Sequence, residues 1–253
     1  MTPHTETPDD LAALADRLAR IPTTIACDIL KGEPLAERVV AGLSPMTPMT
    51  TMAGPVRLIE FLPGRPELRK PGPPANFAVI DGVGEGEVLV LCAAGSMAGA
   101  VLGDMLATRA RERGARGAIV DGAVRDLDGL ALSGLPVQAR GIAPMAAHAT
   151  LIPFACDRPT RFAGVTVMPA DWVLADRDGA LFLTRSLVDR LLAQSDAAIA
   201  KDGFSQRLLQ MGFALTEVFP LPDTLTHFID AFRAIGTMPT QDAVRAALGE
   251  PRR

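Results

Sequence analysis

Residues 95–126 read GSMAGAVLGDMLATRARERGARGAIVDGAVRD. Gly95, Gly99 and Gly103 interrupt an apolar run, so a glycine-broken loop is expected up to Gly103. Asp104–Arg113 (DMLATRARER) reads as a helix that Gly114 closes. Ala118–Asp121 reads as a short strand and Asp121–Gly122 as a turn. Twenty residues separate Asp104 from the pair Arg125–Asp126, so two carboxylates and a guanidinium stand at the two ends of one helix–strand unit. Beside a glycine-rich helix start, that set suits a divalent metal holding a small carboxylate.

Each of these residues also has a plainer reading. The GxxxG spacing can be a helix-packing face. The alternative is an anion cradle, in which the free amides of Gly103, Asp104, Met105 and Leu106 point at a ligand. No GK[ST] follows, so the loop is not a nucleotide P-loop. Asp104 is either a carboxylate at a helix dipole or a proton relay. Arg125 and Asp126 are either a surface pair or a carboxylate clamp beside a hard oxygen ligand. The Asp-x20-Arg-Asp spacing alone is a weak motif.

Working outward, the chain has 253 residues, 48% hydrophobic and 21% charged, with a net charge of −4. That fits a folded globule and gives no electrostatic footprint for nucleic acid. Of 25 basic residues, 22 are Arg. Cys27, Cys92 and Cys156 lie far apart and away from His at zinc-ligand spacing, and no export signal is apparent. A cytoplasmic protein is expected. The uncharged run Val88–Gly103 is 16 residues and broken by glycines, too short to span a bilayer. Expected organisation is a lead-in and helix over 1–22, with 1–8 disordered, a catalytic domain over 23–212, and a helical extension over 213–253. Helices are expected at Asp9–Arg20, Thr23–Leu30 (capped by Thr23 or Thr24), Leu127–Ser133, 186–201, 203–211, 224–235 and 240–248. Strands are expected at Val56–Phe61, Phe77–Ile80, Val88–Cys92, Val137–Arg140, Gly164–Met168, Trp172–Ala175 and Ala180–Thr184. Residues 42–55 and the five-proline stretch 63–74 read as loops. Strands with a few covering helices make a layered α/β fold. Arg109, Arg111, Arg113 and Arg116 read as a solvated face with Glu112, the three His as surface or loop residues, and Trp172 as core.

The stretch GDMLATRARERGARGAIVDGAVRD resembles the signature of the RraA-like family, which includes the 4-hydroxy-4-methyl-2-oxoglutarate aldolases. TTIACDIL, MAGPVRLIE, GEGEVLVLCAAG, LPVQARGIAP and FAGVTVMPADWVLADRDGALFLT extend the similarity over about residues 20–215. The resemblance implies a β/β/α layered, swivelling phosphohistidine-domain-like fold with N- and C-terminal helices. It also implies a homotrimer or hexamer with sites between subunits. It assigns substrate binding to Gly103, Asp104, Met105, Leu106 and Arg125, and the metal, Mg2+ or Mn2+, to Asp126. The implied chemistry is cleavage of a 2-oxo acid to pyruvate, or decarboxylation of oxaloacetate, through an enolate, with Arg125 stabilising charge and Asp104 relaying a proton. The family's aldolases carry a glutamate on a C-terminal helix. Here AIAKDGFSQRLLQMG has none, and Asp202 is the nearest acid. A protein-binding regulator of the ribonuclease E inhibitor type, or another metal-enolate reaction, stands as the alternative.

Overall fold

The computed structural model describes residues 7–48, 51–69 and 71–249. Residues 1–6 of the expected lead-in, His4 among them, lie outside the described residues. Thr7 caps the first helix and Pro8 begins it, so these two are ordered. The chain divides into two compact units, Met1–Leu192 and Ala193–Arg253.

In the first unit, helix α1 (Pro8–Leu18) opens with a capping box between Thr7 and Asp10. Helix α2 (Thr23–Ile29) follows, but neither Thr23 nor Thr24 caps it. Pro22 holds the cap position, and the Thr23 amide and hydroxyl donate to the Asp176 carboxylate at 2.8 and 2.7 Å. Two short strands, β1 (Val39–Val40) and β2 (Ser44–Pro45), precede the long β3 (Met52–Pro63). Next come α3 (Ala75–Asp81), β4 (Val88–Leu102), α4 (Asp104–Glu112), β5 (Gly117–Val124), α5 (Leu127–Ser133) and β6 (Val137–Ile142). Strand β7 (Leu151–Cys156), the hairpin β8 (Thr160–Phe162) and β9 (Val165–Val167), the hairpin β10 (Trp172–Asp176) and β11 (Gly179–Leu183), and helix α6 (Arg185–Gln210) complete the series.

The main sheet runs β1-β11-β10-β3-β4-β5-β6-β2, with β7 also paired to β3. Its centre, β3 to β6, is parallel. Central parallel strands are covered on both faces and so read as unbroken apolar runs. Period-two alternation sorts their side chains. Leu89 and Leu91 of β4 pack with Val79, Ile80, Ala107, Ala110 and Leu130 of the helices. Val88, Val90 and Cys92 pack the other way, against Phe162, Val165, Val173 and Phe182 of the two hairpins. Trp172, Leu174 and Leu181 meet α1, α2 and the start of α6 in a further cluster. The result is the layered β/β/α arrangement expected, with Trp172 in the core.

Several elements differ from expectation. Residues 75–81 form a helix, not a strand, and bury Asn76, Val79 and Ile80 at helical spacing. The expected loop 95–103 continues β4, and the expected Asp121–Gly122 turn lies inside β5. Strand β7 was not foreseen, and β2 and the start of β3 occupy part of the expected loop 42–55. The arginines of the α4 region are not simply solvated: Arg109 pairs with Asp81 and Arg116 with Asp16, each at 2.6 Å.

In the second unit, residues 193–210 of α6 are joined by α7 (Leu215–Val218), a 3-10 turn at Asp223–Phe228, α8 (Ile229–Ile235) and α9 (Gln241–Ala247). Phe204, Leu208, Phe213, Val218, Leu221, Leu225 and Val244 make its core. The break expected between residues 201 and 203 is absent, because α6 runs straight through Gly203.

Candidate active site

Strand β4 ends at Leu102 and α4 begins at Asp104, leaving Gly103 as the helix cap. Leu102 is in register with Val124, and the Arg125 amide donates to the Leu102 carbonyl at 3.1 Å. The two strand ends thus bring Arg125 and Asp126 onto the start of α4. The approach is so close that a side chain at position 103 would displace the Asp126 carboxylate. A Cβ at position 103 would lie 2.8 Å from Asp126 Oδ2 and 3.2 Å from Arg125 Nε.

Asp126 itself is left-handed, with φ 57° and ψ 50°, and caps α5. Aspartate tolerates this region better than most residues, at a cost of roughly 1–2 kcal/mol. Strain of this kind concentrates at functional sites. Arg125 Nε stands 3.2 Å from Asp126 Oδ2, with both side chains about two-fifths exposed, at 40% and 42%.

Asp104 sits at the first turn of α4, as expected, and its carboxylate rests on Gly129 of α5. A Cβ at 129 would be 2.8 Å from Asp104 Oδ2. Asp104 Oδ1 accepts the Met105 amide at 2.7 Å. One of the four amides expected to be free is therefore already engaged by the neighbouring carboxylate.

Gly103, Asp104, Met105, Leu106 and Arg125 line one cavity of about 770 Å³. Asp126 is not among its lining residues; it adjoins the cavity through Gly103 and Arg125. The far wall comes from Phe61 of β3, the proline-rich segment after it, α3, and Leu151–Phe154 of β7. Asn76 and His148 are two of the lining residues that the sequence did not single out. Asn76, only 7% exposed, has a buried Oδ1 with no hydrogen-bond partner. Its spacing to Val79 and Ile80 is the helical signal that would have placed it. His148 is exposed at the cavity mouth.

Among the described residues no group of three or more His, Cys, Asp or Glu is placed to hold a metal ion. Asp126 nevertheless fits a Mg2+-type ion, which binds through one or two carboxylates and keeps waters for the rest. Asp202, on α6 in the second unit, accepts a hydrogen bond from Gln206 at 3.0 Å.

The chain is thus a layered β/β/α domain with an Arg–Asp pair beside a glycine-capped helix start. The model of the family described as "RraA-like: Aldolase/RraA" matches residues 23–182. The chain belongs to the RraA-like family. It is 34% identical over 172 residues, 65% of its length, to a Halorhodospira halophila protein, 96% of which is covered. That relative is by name a candidate 4-hydroxy-4-methyl-2-oxoglutarate aldolase. Among solved structures, Streptomyces coelicolor RraAS2, described as an unusual member of the RNase ES inhibitor RraA family, is 30% identical. Its TM-score is 0.70 over 80% of this chain and 99% of that one. The RNA-processing inhibitor RraA of Thermus thermophilis is 29% identical, with TM-score 0.51 over 62% of this chain and 91% of that one. Among the described residues no helix is long and apolar enough to cross a membrane.

Proposed function

We propose that the protein is a divalent-metal-dependent lyase that cleaves a 2-oxo acid to pyruvate, as an aldolase of the 4-hydroxy-4-methyl-2-oxoglutarate type, an oxaloacetate decarboxylase, or both. One observation carries this reading: Arg125 and Asp126 are held against the glycine that caps α4, at the edge of a cavity lined by Gly103–Leu106. The aldolase names of relatives such as the Halorhodospira halophila protein support it. Asp126 would hold the Mg2+ or Mn2+, which when bound supplies Lewis-acid stabilisation of developing negative charge. The residues of the chain do the rest. The start of α4 orients the substrate carboxylate through backbone amides and the helix dipole. Arg125 clamps that carboxylate and faces the enolate oxygen, where charge grows as the carbon–carbon bond breaks. Asp104 takes the substrate hydroxyl proton, directly or through water.

The test is pyruvate release from 4-hydroxy-4-methyl-2-oxoglutarate and from oxaloacetate with Mg2+ or Mn2+. Both Asp126→Ala and Arg125→Ala are expected to lower kcat/KM by at least about a hundredfold, with the fold intact by circular dichroism. No turnover of either acid by protein that binds the ion by calorimetry would refute the reading. The likeness to RraAS2 favours a second reading, a non-catalytic regulator that binds a ribonuclease. A ribonuclease captured by the full chain, with no ion bound, would put this second reading first.

A further inference from the structure

Two guanidiniums line the candidate cavity. One is Arg125, and the other is Arg69, from the proline-rich segment after β3. Arg69 is held by both arms of its fork. Nη1 donates to the His148 carbonyl at 2.8 Å and Nη2 to the Ala149 carbonyl at 3.3 Å. Those carbonyls close the 3-10 turn Ala147–Ala149, where helical carbonyls lack a partner of their own. Gly64 makes room for the contact. Its amide donates to the Thr150 carbonyl at 2.7 Å, and a Cβ there would lie 3.1 Å from Arg69 Nη2. A long side chain that would otherwise sample many rotamers is thus kept in one place, which lowers the entropy cost of binding to it.

These two bonds use two of the five N–H donors that a guanidinium carries, and both acceptors are neutral. Among the described residues no carboxylate pairs with Arg69; Glu67, two residues earlier, faces Arg65 at 3.4 Å. Three donors and an uncompensated positive charge remain for a ligand. A guanidinium edge matches a carboxylate through two parallel hydrogen bonds.

We propose that Arg69 binds a second carboxylate on the ligand, so that the cavity selects 2-oxo dicarboxylates over 2-oxo monocarboxylates. This rests on the lyase reading above, in which Arg125 holds the carboxylate beside the keto group; Arg69 then takes the carboxylate at the other end. The space suffices. A five-carbon 2-oxo dicarboxylate has ten non-hydrogen atoms and fills about 300 Å³ at roughly 30 Å³ each. The cavity measures about 770 Å³.

Calorimetry on the full chain with Mg2+ compares 2-oxoglutarate with 2-oxobutanoate, which lacks the second carboxylate. A parallel assay follows pyruvate release from 4-hydroxy-4-methyl-2-oxoglutarate. The wild type is expected to bind 2-oxoglutarate about tenfold more tightly than 2-oxobutanoate. Arg69→Gln keeps a neutral donor for a turn carbonyl. It is expected to lose that preference and to leave the affinity for 2-oxobutanoate within about twofold. Equal weakening of both ligands would make Arg69 a fastener of the segment alone and overturn the proposal. A wild type that prefers neither ligand, or binds neither, overturns it as well. A preference that depends on Arg69, with no pyruvate released, upholds the proposal and refutes the lyase reading.

Discussion

A methyl group at position 103 would press on Asp126 Oδ2 at 2.8 Å and on Arg125 Cγ at 3.2 Å. Gly103→Ala is therefore expected to displace the pair it supports. Activity should fall at least about tenfold, while stability, followed by urea unfolding, changes by only about 1–2 kcal/mol. Asp126 should behave in the opposite sense. Its φ of 57° is costly for any residue with a side chain. Asp126→Gly is expected to gain about 1 kcal/mol in stability while losing turnover. A variant both less stable and still active would contradict this account of the turn. At this scale the sequence was informative where local chemistry decides: a Gly-Asp pair ahead of an amphipathic run marks the start of α4. The spacing of Asn76 to Val79 and Ile80 can place it on a helix face, but its burial depends on how α3 packs against β3, α4 and β7.

Among the elements, β4 shows most clearly what local pattern cannot supply. Cys92 is in register with Asp121, yet Ser96 is in register with the next residue of β5, Gly122, so β4 bulges by three residues there. Residues 95–103 have no alternating pattern of their own; pairing with β5 makes them strand. Similar tertiary effects explain the other differences. NFAVI is a short apolar run that fits strand or helix, and Pro74 at its cap was the cue for helix. Pro153 disguised β7, which it can join only because that strand lies at an edge, paired with β3 alone. Gly203 weakens the case for a continuous α6 by about 1 kcal/mol, less than the burial of Phe204 and Leu208 just after it restores. Strand β4 also carries Cys92, whose thiol burial pushes up to about 12 from an ordinary 9.0, with the Asp121 and Glu60 charges adding. The raised value favours the protonated folded state. Its contribution to stability is complete below pH 9 and is lost as pH climbs toward 12. Unfolding at about pH 8 and about pH 10.5 should show this loss, and Cys92→Ala should flatten it. An unchanged slope would mean the thiol is not the titrating group.

For the whole molecule, the family match ends at residue 182, while the chain continues into a second unit with its own apolar core. The layered architecture was legible because buried parallel strands announce themselves as apolar runs. The boundary of the second unit was not, because it falls inside one unbroken helix. We expect the protein to assemble as a homotrimer or hexamer, with a neighbouring chain completing the acid set around Asp126. Sedimentation should then give three or six copies. Fully active monomers would show that one chain suffices.

The contact between Arg125 and Asp126 has a thermodynamic consequence if the site binds as proposed. Each group is the other's partner while no ligand is present. A cation that takes Asp126 releases Arg125 for an anion, and an anion that takes Arg125 releases Asp126 for a cation. The two ligands should therefore bind with positive cooperativity, each tightening the other by the same factor. Pyruvate titrated with and without Mg2+, and Mg2+ titrated with and without pyruvate, should return one coupling free energy.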